Sequence, residues 1–175
     1  MKVSTEKEDT FQKKEEKKMD KDEIKKHVEL LKSKDSIKGY EALKLLVAAS
    51  NGSDDVHSYM EEFFSMIDDS NSYIRTRALM LIMENAKWDK EGRIEEEIER
   101  LLVHITDEKP ITARQFVKLL PQLAGDKPEL RGYIMEALKN ADLSGYKEDT
   151  MRPLIEKDIR EAEKKILEID RGGKK

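Results

Sequence analysis

The sequence predicts an all-α protein built of consecutive helical hairpins, and three observations lead to this fold class. Apolar residues recur at the helical period from Asp20 onward, and no segment alternates with period two as a surface strand does. Short stretches that carry Asp, Asn, Ser, Pro or Gly divide the chain into about eight helical segments. One apolar pattern also returns three times at a fixed distance.

Residues that begin helices mark each boundary in turn. Side chains that accept hydrogen bonds from first-turn N–H groups are the usual N-caps, and the candidates are Asp35, Ser53, Asn71 or Ser72, Asp89, Asp107, Asp126 and Asp149. The helices predicted from these boundaries span 20–33, 36–50, 54–68, 72–87, 91–106, 110–124, 127–141 and 149–169. Pro110 opens one helix, and Pro121 is expected to kink it near its end. Links of a few residues favour consecutive antiparallel hairpins.

The helices are of two kinds. Segments 54–68 and 91–106 each carry one apolar stripe with glutamates on the opposite face, so we expect them to be half-buried. Segments 36–50 and 72–87 differ, because their second halves are apolar nearly all round. Helices of that kind are covered on more than one side.

The ends of the chain differ from its middle. Residues 1–18 hold Val3 and Phe11 as the only large apolar residues after Met1. Such a stretch buries too little surface to offset its ordering entropy, so we expect a flexible charged tail. A repeat domain is expected over 19–170, with a disordered C-terminus over 171–175.

An internal repeat links the hairpins. Ile37, Ile74 and Ile111 are spaced by 37 residues each time, and the windows that follow keep the same register. The matching apolar positions are Leu43, Met80 and Val117, then Leu45, Ile82 and Leu119, then Leu46, Met83 and Leu120. A degenerate fourth copy begins at Met151. Each copy follows an amphipathic helix, so the repeating unit is a pair of helices.

A two-helix repeat of this length resembles the HEAT/armadillo class. The stretch from Asp69 to Leu79, with Ile74-Arg75-Thr76-Arg77-Ala78, is similar to the second-helix pattern of that family. The resemblance implies a right-handed α–α superhelix of about four HEAT-like hairpins, with first helices on the convex side and second helices on the concave side. It covers 20–169 and implies a scaffold rather than a particular activity.

The C-terminal half also resembles a group of small bacterial HEAT-like proteins, through Lys109-Pro110-Ile111-Thr112-Ala113-Arg114-Gln115 and Met151-Arg152-Pro153-Leu154-Ile155. Some members of that group are labelled "SufBD", which hints at iron–sulfur assembly. The chain has no cysteine to hold a cluster, so its residues give that label no support.

Composition limits the classes of function. The absence of cysteine excludes a disulfide framework and thiolate metal sites, and no cofactor is predicted. No apolar run is long enough to span a membrane and no secretory signal is present, so we expect a cytoplasmic protein. Of the residues, 41% are charged, with 34 basic against 38 acidic. That balance argues against a bulk nucleic-acid binder and leaves a local basic patch open.

The most suggestive polar feature is a row of basic residues early in the second helices, namely Lys38, Arg75, Arg77, Arg114 and Arg152. Cations near a helix N-terminus oppose the helix dipole, so local stability does not explain them. Aligned along an inner face, the row binds phosphate or an acidic partner. The alternative is an internal ladder, because Asp68, Asp69 and Asp107 come just before these arginines. The HEAT resemblance implies Asp–Arg ladders between repeats.

These observations predict a non-enzymatic scaffold that binds a protein partner through its concave face, with the row above as tentative binding residues. The alternative is DNA binding, or DNA repair like that of HEAT-like glycosylases for alkylated bases. That chemistry needs a carboxylate beside an aromatic and basic pocket, which only Trp88, Asp89 and Arg93 provide. DNA binding requires a continuous positive groove, whereas a protein partner predicts an exposed apolar or acidic patch.

The three histidines do not predict a metal site. His27, His57 and His104 fall on three different predicted helices, without the spacing of metal ligands. The sequence leaves the oligomeric state open.

Overall fold

The computed structural model describes residues 18–172, which form nine α-helices and no strand. The helices are α1 Lys21–Leu30, α2 Ser36–Gly52, α3 Met60–Met66, α4 Ser72–Glu84, α5 Arg93–Glu96, α6 Ile98–Leu102, α7 Pro110–Asp126, α8 Arg131–Lys139 and α9 Met151–Gly172. Short 3-10 helices add Val56–Tyr59, Ala86–Trp88, Val103–Thr106 and Pro128–Leu130. The predicted all-α class is confirmed for this part of the chain. No helix within it is long and apolar enough to cross a bilayer.

Side-chain caps begin several of these helices as predicted. The Asp35 carboxylate accepts hydrogen bonds from the N–H groups of Ile37 and Lys38 at 3.0 and 3.2 Å. Asn71 accepts one from Tyr73 N–H at 2.9 Å. Asp126 is not an N-cap, because α7 continues through Pro121 and ends at Asp126 itself. The continuation adds a half turn to the predicted helix.

The predicted helix 91–106 is interrupted. Gly92 has a positive φ of 76° and precedes α5, which stops at Glu97, where φ and ψ are −106° and 11°. A second short helix, α6, then passes into the 3-10 helix Val103–Thr106. The apolar stripe survives these breaks, since Ile94, Ile98, Leu101 and Ile105 are all buried. Periodicity therefore identifies the buried face correctly and misses the change in helical geometry.

The second helix of each hairpin packs against the second helix of the next. In chain order α2 packs on α4, α4 on α7, and α7 on α9. The first helices lie against this row: α1 on α2, α3 on α4, the 3-10 helix Val103–Thr106 on α7, and α8 on α9. The core is thus shared between neighbouring hairpins, which explains why no single hairpin has to bury its apolar face alone.

The prediction that two helices are covered on more than one side holds for one of them. Helix α4 lies between α2 and α7. It buries residues on every side except the one that carries Tyr73, Thr76 and Met80. The prediction is wrong for the second half of α2, where Leu45 is 48% exposed and Ala48 is also exposed. Helix α2 begins the row of second helices, so one of its flanks has no neighbouring second helix.

Several ion pairs between hairpins share one sequence separation, although Asp89–Lys127 and Arg114–Asp158 are 38 and 44 residues apart. Four pairs join residues 32 positions apart, namely Glu61–Arg93, Asp68–Arg100, Arg75–Asp107 and Glu95–Lys127. A constant separation means that consecutive hairpins meet in a similar register.

At the C-terminus, the predicted disordered segment begins at residue 171, but α9 includes Arg171 and Gly172. Of the predicted N-terminal tail, residues 1–17 lie outside the described part of the chain.

Candidate functional site

Arg75 of the predicted binding row is buried in an ion pair. Its Nε and Nη2 donate to the two carboxylate oxygens of Asp107 at 3.1 and 2.7 Å. Its Nη1 donates to the carbonyls of Asp69 and Ser70 at 2.9 and 3.2 Å. All three guanidinium nitrogens are therefore engaged within the chain. The fork geometry is the one in which Arg and a carboxylate pair most strongly.

Asp107 is the centre of this buried cluster. Besides Arg75, its carboxylate contacts His104 Nδ1 at 2.9 Å and accepts from Lys109 N–H at 2.9 Å. The Tyr146 hydroxyl donates to the Asp107 carbonyl. Burial raises the pKa of Asp107, but the hydrogen bonds from Arg75, Lys109 and His104 outweigh it and hold the pKa below its usual value. The carboxylate is thus a structural anion whose acceptor positions are occupied.

Arg77 has a different role, because it caps the end of another helix. Its Nη1 donates to the carbonyls of Leu31 and Ser33 at 2.8 and 3.0 Å, just past the end of α1. A cation there faces the negative end of the α1 dipole, which explains why a basic residue near the N-terminus of α4 is stabilising. No carboxylate of residues 18–172 pairs with it, and burial lowers the pKa of Arg77.

Two further members of the row also bond within the chain. Arg114 donates from Nε to Asp158 on α9 at 2.6 Å. Arg152 donates to Glu148 Oε1 at 3.0 Å and to the carbonyls of Leu143 and Tyr146 at 3.1 Å each.

Lys38 alone in the row has an exposed side chain. Arg75 and Arg114 follow the interpretation of an Asp–Arg ladder, since they pair with Asp107 and Asp158. Arg152 pairs locally with Glu148, and Arg77 bonds to carbonyls without a carboxylate among residues 18–172. Their geometry gives no support to a row of binding guanidinium groups.

A second arrangement, which the sequence analysis did not single out, is an apolar groove at the first turns of α2, α4 and α7. Its volume is about 1020 Å³. The apolar residues that line it are Ile37, Tyr40, Leu43, Tyr73, Met80, Pro110, Ile111 and Met151. Four of these side chains are largely exposed, with fractions of 69% for Ile37, 57% for Tyr40, 64% for Tyr73 and 64% for Ile111. Contiguous exposed apolar surface of this kind marks interaction sites in monomeric proteins.

Helical geometry explains why these side chains point away from the core. Ile37, Tyr40 and Lys44 recur at i, i+3 and i+7, so they share one face of α2. The buried Ala42 and Leu46 lie on the opposite face. The signal in the sequence was this second apolar stripe on α2. In the sequence, Ile37 and Ile111 marked the repeat, and nothing assigned them to the surface.

Basic groups surround the groove. Lys44, Arg77 and Lys109 line it, against Glu41 as the acidic residue of the lining. The Lys44 ammonium lies 4.9 Å from the centroid of the Tyr40 ring, within cation–π range. The first turns of α2, α4 and α7 add partial positive charge from their dipoles. The groove therefore combines an apolar floor with a positive rim.

The Trp88 group of the alternative prediction is closed to a substrate. Trp88 Nε1 donates to the Ser50 carbonyl at 2.8 Å, so the ring bridges two hairpins. The buried Asp89 carboxylate accepts from the N–H groups of Arg93 and Ile94 at 3.1 and 2.8 Å. Lys127 Nζ lies 3.2 Å from Asp89 Oδ2, the oxygen that also accepts from Ile94 N–H, and the Asp89 side chain is fully buried. These donors leave Asp89 no free position from which to act on a nucleobase.

Asp89 also stays ionised. Burial raises the pKa of its carboxyl. The two backbone hydrogen bonds and Lys127 have the larger, opposite effect, so the pKa lies below its usual value. Within residues 18–172, no three His, Asp or Glu side chains are arranged to hold a metal ion.

Comparison of the chain with protein-family models, with curated proteins and with solved structures found no match.

Proposed function

We propose that this protein is a non-enzymatic interaction module that binds a protein partner through the apolar groove. The observation that carries the proposal is the adjacency of Ile37, Tyr40, Tyr73 and Ile111, which come from three helices and leave their side chains largely exposed. Aromatic and aliphatic anchors in a concave surface are the groups that dominate protein–protein affinity.

The architecture we propose is HEAT-like, with the four hairpins wound as a right-handed superhelix and the groove on its concave side. Three findings support this: the 37-residue recurrence of Ile37, Ile74 and Ile111, the row of second helices packed in chain order, and the shared separation of 32 residues in the ion pairs between hairpins. Repeat scaffolds of this type present extended surfaces to their partners.

The DNA-binding alternative lacks a comparable observation. Arg75 and Arg114 pair with Asp107 and Asp158, so those guanidinium groups are not available to phosphates. The Trp88 and Asp89 side chains are engaged by Ser50, by two backbone N–H groups and by Lys127. A protein partner fits the apolar floor better than a phosphate backbone does.

A pair of matched double variants tests the proposal. Ile37→Asp/Ile111→Asp places two charges in the groove. The control, Val103→Asp/Tyr133→Asp, changes two side chains that are each 60% exposed and lie outside it. Both variants should unfold within about 0.5 kcal/mol of the wild type, since the changed side chains are at the surface.

The measurement is quantitative mass spectrometry of proteins retained by each immobilised chain from a lysate of the source organism. We expect a set of proteins that the wild type and the control retain and that Ile37→Asp/Ile111→Asp loses. If the two variants retain the same proteins as the wild type, the groove is not the binding surface and the proposal fails.

A further inference from the structure

We propose that the groove receives a short amphipathic helix of the partner, with acidic residues flanking its apolar face. This rests on the proposed function and specifies the chemistry of the partner segment. Three properties of the groove lead to it: its charge, the secondary structure of its walls and the distance it spans.

The positive charge of the groove comes mainly from two lysines without an ion-pair partner among the described residues. Neither Lys44 nor Lys109 has a carboxylate of residues 18–172 within the 4.0 Å of an ion pair. Arg77 uses Nη1 for its bonds to the carbonyls of Leu31 and Ser33. Glu41 alone among the lining residues carries negative charge. Asp and Glu on the partner complement this rim, and Lys and Arg are repelled by it.

The walls of the groove favour a helix over an extended segment. Every wall comes from a helix, since the lining residues belong to α2, α4, α7 and the start of α9, apart from Lys109, the N-cap residue of α7. Residues 18–172 contain no strand, so an extended peptide finds no sheet edge on which to pair its backbone. A helix satisfies its own backbone hydrogen bonds and needs only side-chain contacts.

The span of the groove sets the length of that helix. Packed helices lie about 8–10 Å apart, so the path from α2 across α4 to α7 covers about 16–20 Å. At about 1.5 Å per residue this is a helix of about 11–13 residues. Its apolar residues would recur at i, i+3 or i+4, i+7 and i+11, and would meet Ile37 and Tyr40 first, Tyr73 next and Ile111 last.

Selection from a displayed library of helix-biased random peptides, about 13 residues long, tests this inference. The library is panned in parallel against the full-length wild type, against Ile37→Asp/Ile111→Asp, and against the control Val103→Asp/Tyr133→Asp. We expect peptides enriched on the wild type and on the control, but not on the groove variant, to carry more Asp and Glu than Lys and Arg. Groove-dependent peptides that are basic or neutral would overturn the acidic assignment.

A charge-reversal variant gives the quantitative readout. The best groove-dependent peptide is labelled and titrated by fluorescence anisotropy against the wild type and against Lys44→Glu/Lys109→Glu, both of whose changed residues are outside the buried core. The variant loses two surface ion pairs between its lysines and the acidic residues of the peptide, which should weaken binding about fivefold. Repulsion between the new glutamates and the peptide should weaken it more. Raising the salt concentration should reduce the difference between the two proteins. Equal affinities at low salt would contradict the proposed role of the rim.

Other occupants give distinct results. Sedimentation of the wild type as a groove-dependent dimer would identify a second copy of this chain as the occupant. A cross-link from Lys109 to a lysine within residues 2–17 of the same chain would identify the N-terminal segment instead. Either result overturns the inference. Loss of all groove-dependent peptides and of all groove-dependent lysate proteins overturns the proposed function as well, whereas basic peptides overturn the inference alone.

Discussion

The Arg77 guanidinium occupies the space that a β-carbon at position 39 would need. An alanine methyl at Gly39 would overlap Cζ, Nη1 and Nη2 of Arg77. Glycine on α2 therefore lets the guanidinium of α4 pass over the helix and reach the carbonyls of Leu31 and Ser33 at the end of α1. Because position 39 has no side chain, Arg77 can connect α4 with α2 and with the end of α1.

Gly39→Ala is expected to destabilise the protein by about 1–3 kcal/mol. In an unobstructed helix the same change stabilises by up to about 1 kcal/mol, because alanine has the higher helix propensity. Here the methyl displaces a buried guanidinium from two carbonyls, and the sign reverses. Gly132→Ala on α8 is the matched control, because nothing lies within 4 Å of its added β-carbon. Urea unfolding followed by circular dichroism gives both values.

A double-mutant cycle separates the clash from other effects of the methyl group. With Arg77→Ala in place, Gly39→Ala should become neutral or stabilising, because the overlapping guanidinium is gone. If Gly39→Ala costs the same free energy in both backgrounds, Arg77 is not the reason for glycine at this position.

The buried Arg75–Asp107 pair predicts that the conservative substitution Asp107→Asn strongly lowers the free energy of unfolding. Asp107→Asn keeps the side-chain shape and removes the charge. The buried Arg75 guanidinium then has only the exposed Glu108 carboxylate, 3.8 Å from its Nη2. Removing one partner of a buried pair costs about 3–5 kcal/mol. Asp149→Asn changes an exposed carboxylate and should cost less than about 0.5 kcal/mol. Similar unfolding midpoints in urea for the two variants would rule out a strong pair.

The same pair predicts sensitivity to acid. The pKa of Asp107 is lower in the folded chain than in the unfolded one, so its stabilisation is complete above about pH 4, the unfolded value. The stabilisation is lost as the pH falls below 4 and through the folded pKa. We expect the free energy of unfolding to decrease over that range. Asp107→Asn should show a smaller decrease than the wild type, and equal slopes would contradict the assignment.

The Asp89–Lys127 pair is expected to show strong coupling. The side chain of Asp89 is fully buried and that of Lys127 is 8% exposed. Lys127→Met leaves the Asp89 carboxylate with its backbone donors but no cation, at a cost of about 3–5 kcal/mol. Asp89→Asn/Lys127→Met should be more stable than the sum of the single changes predicts. Strict additivity in denaturant unfolding would show that the two charges act independently.

Lys127 also gives a prediction at high pH. Burial lowers the pKa of Lys127, but hydrogen bonds to Glu95 and Asp89 outweigh burial and raise it above its usual value. Its stabilisation is therefore complete below about pH 10 and lost as the pH rises through the folded pKa. The free energy of unfolding should therefore fall less steeply above about pH 10 in Lys127→Met than in the wild type. Urea unfolding at several pH values measures both slopes.

Local patterns sufficed to predict the helices. The apolar period identified the buried stripe of segment 91–106, and Asp35 and Asn71 cap α2 and α4 as expected. It failed in the second half of α2, where Leu45 is 48% exposed. The break at Glu97 was missed, because its cause is not a proline or glycine at that position.

The candidate site was harder to predict, because charge partners and exposure depend on neighbouring hairpins. Arg75 and Asp107 are 32 residues apart in the chain, and no local rule pairs them. Ile37 and Ile74 hold equivalent places in the repeat, yet Ile74 is buried on the central helix α4 whereas Ile37 is exposed on α2. Ile111 is 64% exposed although α7 lies between α4 and α9. Neither residue type nor place in the repeat therefore predicts which apolar residues line the groove.

Tyr146 offers a spectroscopic test of the buried cluster. Burial and the nearby Asp107 carboxylate raise the pKa of its phenol to about 12. An unfolded tyrosine ionises near pH 10, so the folded state holds the proton more tightly. The stabilisation from Tyr146 is complete below about pH 10 and is lost as the pH rises through about 12.

Ultraviolet titration of tyrosinate absorbance should therefore resolve one of the five tyrosines as a late step near pH 12, at the upper edge of the folded range. Tyr146→Phe should abolish that step and leave the others unchanged. It also removes the hydroxyl that donates to the Asp107 carbonyl, at a cost of about 1 kcal/mol. Tyr133→Phe, at an exposed position, is the control and should leave the late step in place at no cost in stability. A late step that persists in Tyr146→Phe would mean that another tyrosine is the shielded one.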